Sequence, residues 1–266
     1  MRIKQRVSIA LIYLTCLFSA LWQSVSAEVV DWATPIGKQR LIEAELTQDF
    51  FNLAPHFEGQ QNKVFCGAAS MTIVANALRV QADGQQIPLD HSLVKDHETA
   101  YFPDGVSPLF HRYTQTSILA NTPLTKAQLL GEPKAKKLSR DFGLQLSELA
   151  HIARSLNLQV ALTFVEPAKL SQQQYHTALK QQLINALNEQ HQHIIINYSR
   201  ARLSQKGAGH FSPLAAYHKD SDSFLVMDVS NTYQNWVWVS SDILFEAMAT
   251  IDVNRSRGFI VIQEAV

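Results

Sequence analysis

Cys66 stands where a sulfur nucleophile would be made. It follows the polar run Gln60-Gln61-Asn62-Lys63 and opens a helical pattern in which Ala69, Ile73, Ala77 and Leu78 recur at helical spacing, with Met71 and Val74 beside them. A helix N-terminus carries roughly half a unit of positive charge and unpaired N–H donors, which favour a thiolate over a thiol. A free cysteine is more often a small buried hydrophobe, so Cys66 needs partners before it counts as chemistry. A thiol nucleophile requires a base within hydrogen-bond reach and a third group that holds the base in the right tautomer. Gly207-Ala208-Gly209 leads through backbone nearly free of side chains to His210, at the start of a predicted strand. The next strand, Phe224 to Val229, carries Asp228 among apolar neighbours. A carboxylate there is costly unless something pairs with it, and His210 on the adjacent strand is the partner. His218, beside a turn, is the second candidate base. Acyl transfer also needs donors for an oxyanion, usually the N–H of the nucleophile plus an upstream side-chain amide. Gln60 supplies that amide, with Gln61 and Asn62 as competitors.

The compartment sharpens the case for the thiol. Residues 1–27 have the pattern of a secretion signal: a basic front of Arg2, Lys4 and Arg6, an apolar core from Val7 to Trp22, and Val25-Ser26-Ala27 at the cleavage positions. Cleavage leaves residues 28–266 as one domain in a periplasmic or secreted location, with no stable membrane anchor. Cys16 leaves with the signal, so the mature chain keeps Cys66 alone and forms no internal disulfide. A solitary thiol in an oxidising compartment is a liability unless it is used. The full chain balances 23 basic against 23 acidic residues, and loss of the signal's three basic residues leaves 20 against 23. With no basic stripe or aromatic-interleaved basic patch, nothing points to nucleic acid.

The elements that must position these residues change character along the chain. Residues 28–59 read as an aromatic-bearing approach segment, weakly helical from Leu41 to Phe51. Asp83-Gly84 marks a turn after the Cys66 helix, and residues 89–125 are irregular, suited to a surface or lid segment. His91, His97 and His111 fit no metal-ligand spacing, and no metal site is expected. Gly131 to Arg140 is a basic connection. Leu144 to Leu156 and Ser171 to Gln190 are amphipathic helices separated by a strand from Gln159 to Val165, and His191-Gln192-His193 ends the second helix. From Ile194 the period becomes that of strands: Ile194 to Tyr198, Phe211 to Tyr217, Phe224 to Val229, Trp236 to Val239 and Gly258 to Ile262. A largely helical first half followed by a stranded second half gives an α+β unit with two lobes.

Several blocks together resemble a known family. Gln60-Gln61-Asn62 with Phe65-Cys66-Gly67 and Ala69-Ser70, Gly209-His210-Phe211-Ser212-Pro213-Leu214 with Tyr217, Met227-Asp228-Val229 with Trp238-Val239, and Arg257-Gly258-Phe259 are similar to phytochelatin synthase. The likeness covers roughly the whole mature chain, in the manner of the short bacterial, single-domain form. It implies a papain-like cysteine protease fold, a helical lobe followed by an antiparallel β lobe. It also implies a γ-glutamylcysteine transpeptidase that cleaves glycine from glutathione through a γ-Glu-Cys thioester, with hydrolysis exceeding chain building. Under the resemblance Cys66 is the nucleophile, His210 the base, Asp228 its orienter and Gln60 the oxyanion donor. Arg200, Arg257 and Gly209 then fall near the substrate cleft, the arginines holding glutathione carboxylates. No tightly bound cofactor is implied, and a heavy-metal ion enters, if at all, as a metal–glutathione thiolate. The implied partner is glutathione or a related γ-glutamyl peptide, with homodimer formation left open. The competing readings are a papain-like peptidase acting on another exported peptide, and a non-catalytic thiol- or metal-binding protein.

Overall fold

Ile194-Ile195-Ile196 is apolar at every position, and a strand can bury such a run only where both faces of its sheet are covered. The structure, a computed structural model, meets that demand with a central sheet between two layers of helix. It describes residues 29–79, 87–92, 94–120, 125, 143–230, 232 and 235–265. The expected secretion signal, the Asp83-Gly84 turn and the basic stretch from Gly131 to Arg140 lie outside the described residues.

In chain order the elements are β1 (Val29–Asp31), α1 (Pro35–Glu43), α2 (Gln48–Leu53), α3 (Cys66–Leu78), α4 (Gln115–Ala120), α5 (Leu146–Ser155) and β2 (Leu158–Phe164), followed by α6 (Gln173–Asn188), β3 (Gln192–Ser199), β4 (Gly209–His218), β5 (Ser223–Val226), β6 (Val237–Ser240), α7 (Ser241–Met248), the short hairpin β7 (Ile251–Asp252) and β8 (Arg255–Ser256), and β9 (Gly258–Glu264). The seven-stranded sheet runs β1-β6-β5-β4-β3-β9-β2. All its neighbours are antiparallel. Strands β3 to β6 form a meander, and the sheet is completed at its edges by β1 and β2 from the first half.

Strand alternation sorts the side chains into two cores. Ile195, Ala215, Leu225, Trp238, Ile260 and Ile262 face the layer that contains α3 and α5. Ile194, Ile196, Leu214, Phe224, Val226 and Phe259 face α6 and α7. Helix α3 is buried from Cys66 to Asn76, as a helix apolar on all sides must be. Fully buried Met71, Ile73 and Val74 each contribute about 1.5–3 kcal/mol by leaving water. Its polar side chains are answered internally: Ser70 Oγ donates to the Cys66 carbonyl at 2.8 Å. Asn76 donates to the Tyr113 carbonyl at 3.0 Å and accepts the Tyr113 N–H at 2.9 Å. Beyond the helix end, buried Arg79 donates to Glu264 at 2.7 Å and to the Leu156 carbonyl at 2.6 Å. The helix that carries the cysteine is thus anchored to the rest of the molecule through its C-terminal end.

The α+β class holds, but the halves interleave more than the sequence pattern suggests. The approach segment supplies β1, whose Val30 pairs with Trp238 of β6, and helix α7 lies within the stranded half. Helix α7 is short and flanked directly by strands, so its period is hard to separate from theirs. The His191-Gln192-His193 triplet does not end a helix. Helix α6 stops at Asn188, His191 takes φ 62°, and Gln192 and His193 already lie in β3. The strand also stops earlier than expected around the carboxylate: β5 ends at Val226, and Asp228 sits in the turn after it.

Candidate active site

Helix α3 begins at Cys66, with Phe65 as its cap residue, so the sulfur sits at the positive end of the dipole. On the adjacent strand His210 is the second residue of β4, directly across from Tyr198 of β3. Past the end of β5, Met227 N–H donates to the Pro213 carbonyl at 3.0 Å and Asp228 N–H to the Val226 carbonyl at 3.1 Å. This turn brings the Asp228 carboxylate under the imidazole. Gln60 N–H donates to the Val229 carbonyl at 2.8 Å, tying the irregular approach to Cys66 to the turn that carries the aspartate.

These three side chains meet. His210 Nε2 lies 2.9 Å from Asp228 Oδ1, and the same imidazole is the chief group acting on the Cys66 thiol against its burial. With Nε2 on the carboxylate, Nδ1 is the nitrogen left for the thiol. The edge of the Tyr198 ring meets the His210 ring at 88° and 5.7 Å, and the Tyr198 hydroxyl reaches Asp228 Oδ2 at 3.4 Å. Asp228 is fully buried and His210 nearly so, while Cys66 is 8% exposed at the floor of a cavity.

Electrostatics in this enclosed site favour an ion pair. Burial pushes the Cys66 thiol up, but the His210 side chain and the N–H groups of Phe211 and Gly67 outweigh it and leave the thiol below its ordinary value. Burial likewise works against the imidazolium, and Asp228 and Cys66 together raise His210 above its usual range. Burial alone would raise Asp228; His210 and Arg200 hold it below the usual carboxylate range. A thiolate beside an imidazolium is the state these shifts share.

Around the sulfur a cavity of about 80 Å³ is lined by Lys63, Leu144, Asn197, Gly209 and Arg257 among others. Asp252 is a wall it shares with a space of about 240 Å³ that includes Phe164 and Arg255. A second space of about 460 Å³, reaching Ser199 and Thr250, shares Asp252, Gly209 and Arg257. A small peptide could therefore place a carbonyl on the sulfur and lay its ends to either side. Arg257 lies over Gly209, so close that a Cβ on that glycine would collide with the guanidinium. Its Nη1 donates to Asn197 at 2.8 Å and to Asp252 at 2.5 Å. Among the described residues no group of three or more His, Cys, Asp or Glu could hold a metal ion, and no helix is long and apolar enough to cross a membrane.

The other sequence candidates separate clearly. Gln60 Nε2 donates to the Asn62 carbonyl at 2.8 Å, which leaves one amide hydrogen over, and its buried Oε1 finds no partner among the described residues. Gln61 binds Gln115 through its backbone N–H at 2.9 Å, and the Asn62 carboxamide accepts the Val64 N–H at 3.0 Å. His218 is away from the thiol, with Nδ1 on Ser221 at 2.7 Å. Arg200 is not a cleft residue. It is buried, with Nη2 on Asp228 at 2.7 Å and Nη1 on Gln205 at 3.1 Å, so the expectation that it grips a substrate carboxylate gives way to an internal ion pair. Tyr198, Asn197, Asp252 and Ser230 were not singled out from the sequence. The polar ending of an otherwise apolar strand, Asn197-Tyr198-Ser199-Arg200, was the available signal for the first two.

A profile of the phytochelatin synthase family matches residues 22–91 and 105–259. The chain is 26% identical over 244 residues to glutathione gamma-glutamylcysteinyltransferase 3 of Lotus japonicus, covering 90% of this chain and 43% of that protein. It is 28% identical over 246 residues to glutathione gamma-glutamylcysteinyltransferase 1 of Triticum aestivum, covering 89% and 41%. With glutathione gamma-glutamylcysteinyltransferase 2 of Arabidopsis thaliana the identity is 26% over 249 residues, covering 90% and 46%. The chain thus spans less than half the length of the curated relatives it matches. A match over most of its length makes the chain a member of the phytochelatin synthase family.

Proposed function

We propose that this protein is a thiol enzyme on a papain-like fold that removes glycine from glutathione through a γ-glutamylcysteinyl thioester, and that it works in the periplasm or outside the cell after loss of residues 1–27. The observation that carries this reading is His210, held by Asp228 at 2.9 Å and acting on the thiol of Cys66, which lines a cavity, in a chain whose relatives are named for γ-glutamylcysteinyl transfer.

The Cys66 thiolate attacks the carbonyl carbon of the Cys–Gly bond, forming a C–S bond and a tetrahedral oxyanion. The N–H of Cys66 and the spare amide hydrogen of Gln60 are the proposed donors to that oxyanion, each such donor contributing about 3–4 kcal/mol in comparable sites. As the C–N bond breaks, His210 gives its proton to the departing glycine nitrogen. The thioester is then opened by water, or by the amine of a second glutathione, with His210 taking the proton from the attacking group. Water is the commoner acceptor, so hydrolysis exceeds chain building. Arg257 and Gly209 line the substrate path, and any heavy metal arrives as a glutathione thiolate and leaves with product. Asp228 keeps Nε2 of His210 protonated, so that Nδ1 faces the sulfur.

Incubating residues 28–266 with glutathione, with and without cadmium, and following free glycine by mass spectrometry tests this directly. Release that vanishes in Cys66→Ala is expected; no release above the Cys66→Ala background would sink the reading.

A further inference from the structure

Asp228 carries more than the histidine. Its Oδ1 accepts from His210 Nε2 at 2.9 Å, from Arg200 Nη2 at 2.7 Å and from the Ser230 N–H at 2.8 Å. The guanidinium and the imidazole therefore share one oxygen of a carboxylate that has no exposed surface. A buried carboxylate with a single, titratable partner would lose its charge whenever that partner lost its proton. A permanently charged guanidinium on the same oxygen prevents this. The loop that follows is shaped around Arg200. Its N–H donates to the Ala208 carbonyl at 2.9 Å, its carbonyl accepts the Gln205 N–H at 3.0 Å, and Gln205 Oε1 accepts from Nη1. Gly207 adopts φ +117°, and a Cβ there would lie 2.8 Å from Arg200 Cδ. The turn from Arg200 to Gly209 thus wraps the arginine stem and delivers the chain to His210.

We infer that Arg200 is a positioning residue: it acts through Asp228, keeping that carboxylate ionised and aimed at His210 Nε2 so that the imidazolium and the Cys66 thiolate form together. The inference rests on Cys66 being the nucleophile and not on glutathione being the substrate. The charged and titratable groups facing this centre are Arg200, His210 and Tyr198 around Asp228, and Arg257 near the thiol. Among the described residues, only Arg200 both touches the carboxylate and carries a guanidinium, which stays charged across the accessible pH range.

The test reads Cys66 alkylation by iodoacetamide against pH, with the labelled peptide quantified by mass spectrometry and thermal unfolding recorded alongside. Arg200→Gln is expected to move the acid midpoint of alkylation upward by on the order of one pH unit, because the carboxylate then holds its own proton more tightly. Arg200→Lys, which keeps the charge but not the planar fork, is expected to move it part of the way. A folded Arg200→Gln protein with the wild-type midpoint overturns the inference. Should that variant not fold, the decision passes to Arg200→Gln/Asp228→Asn, in which both charges leave together. Alkylation in the double variant equal to that of Asp228→Asn supports action through the carboxylate, and slower alkylation overturns it. With glutathione, positioning lowers kcat at unchanged KM, whereas a substrate-gripping arginine would raise KM and leave alkylation untouched. Loss of glycine release from the wild type would count against the glutathione reading alone, since the alkylation arm stands without it.

Discussion

Two histidines on neighbouring strands of this sheet face buried carboxylates, and one of them belongs to the proposed catalytic arrangement. His210 meets Asp228 at 2.9 Å with hydrogen-bond geometry, and the carboxylate is further held by Arg200, Ser230 and Tyr198. His193 Nδ1 lies 3.1 Å from Asp49 Oδ1 with both side chains equally buried. Yet that nitrogen and Asp49 Oδ2 make no hydrogen bond among the described residues. The electrostatics diverge accordingly. Asp228 is held below the usual carboxylate range despite burial, whereas burial dominates at Asp49 and raises it, with His193 only partly offsetting the effect. A histidine beside an aspartate is thus not a site in itself. The cation, the thiol and the cavity make the difference.

The largest expected effect separates the two pairs outright. Cys66→Ala reduces glycine release to background, and no substitution at His193 or Asp49 does so while the fold persists. Asp228→Asn comes next: loss of the orienting charge is expected to lower kcat by roughly 10⁴-fold, while Asp49→Asn leaves kcat within about threefold, as read by initial rates of glycine release. Equal losses in the two variants would erase the distinction. Gly209→Ala drives a methyl into the Arg257 guanidinium and displaces it in the cavity, at a cost of about 10²-fold in kcat/KM if substrate shifts by an ångström.

Smaller and of opposite sign are the effects on stability, read from urea midpoints across pH. Asp228 has a depressed folded value, so its contribution is present above the unfolded aspartate value of about 4 and is lost as pH falls through the folded one. Asp49 has a raised folded value, so its contribution is present below about 4 and is lost as pH rises through the folded value. Asp228→Asn should therefore flatten the acid side of the stability profile. Asp49→Asn should flatten the side above it and change stability at pH 7 by no more than about 1–2 kcal/mol. His210, raised by its partners, contributes below its unfolded value of about 6.5 and loses that contribution as pH climbs through the folded value.

Much of this centre was legible before any coordinates. A cysteine where an apolar helical period begins, a histidine after a glycine-rich approach and a carboxylate in an apolar run are local patterns, and local patterns report the cost of leaving such groups unpartnered. The α+β class followed from the change of period near Ile194. What misled was equally local. His191 and His193 looked like the end of a helix because alternate histidines suit a helix C-terminus; the positive φ at His191 turns the chain into β3 instead. The first segment, with Val29–Asp31 too short to show a period, became the sheet edge.

Sequence by itself determined which atoms could react and that the protein had to bury a two-faced strand, because residue type and periodicity fix chemistry and amphipathic character along the chain. The fate of the charges was decided only in three dimensions. Arg200 stands 28 residues from Asp228, and nothing within that interval says whether its guanidinium faces a cleft or a carboxylate. A turn past β5 settles it, since an ionised side chain is stable in the interior only where folding brings its counter-charge within reach.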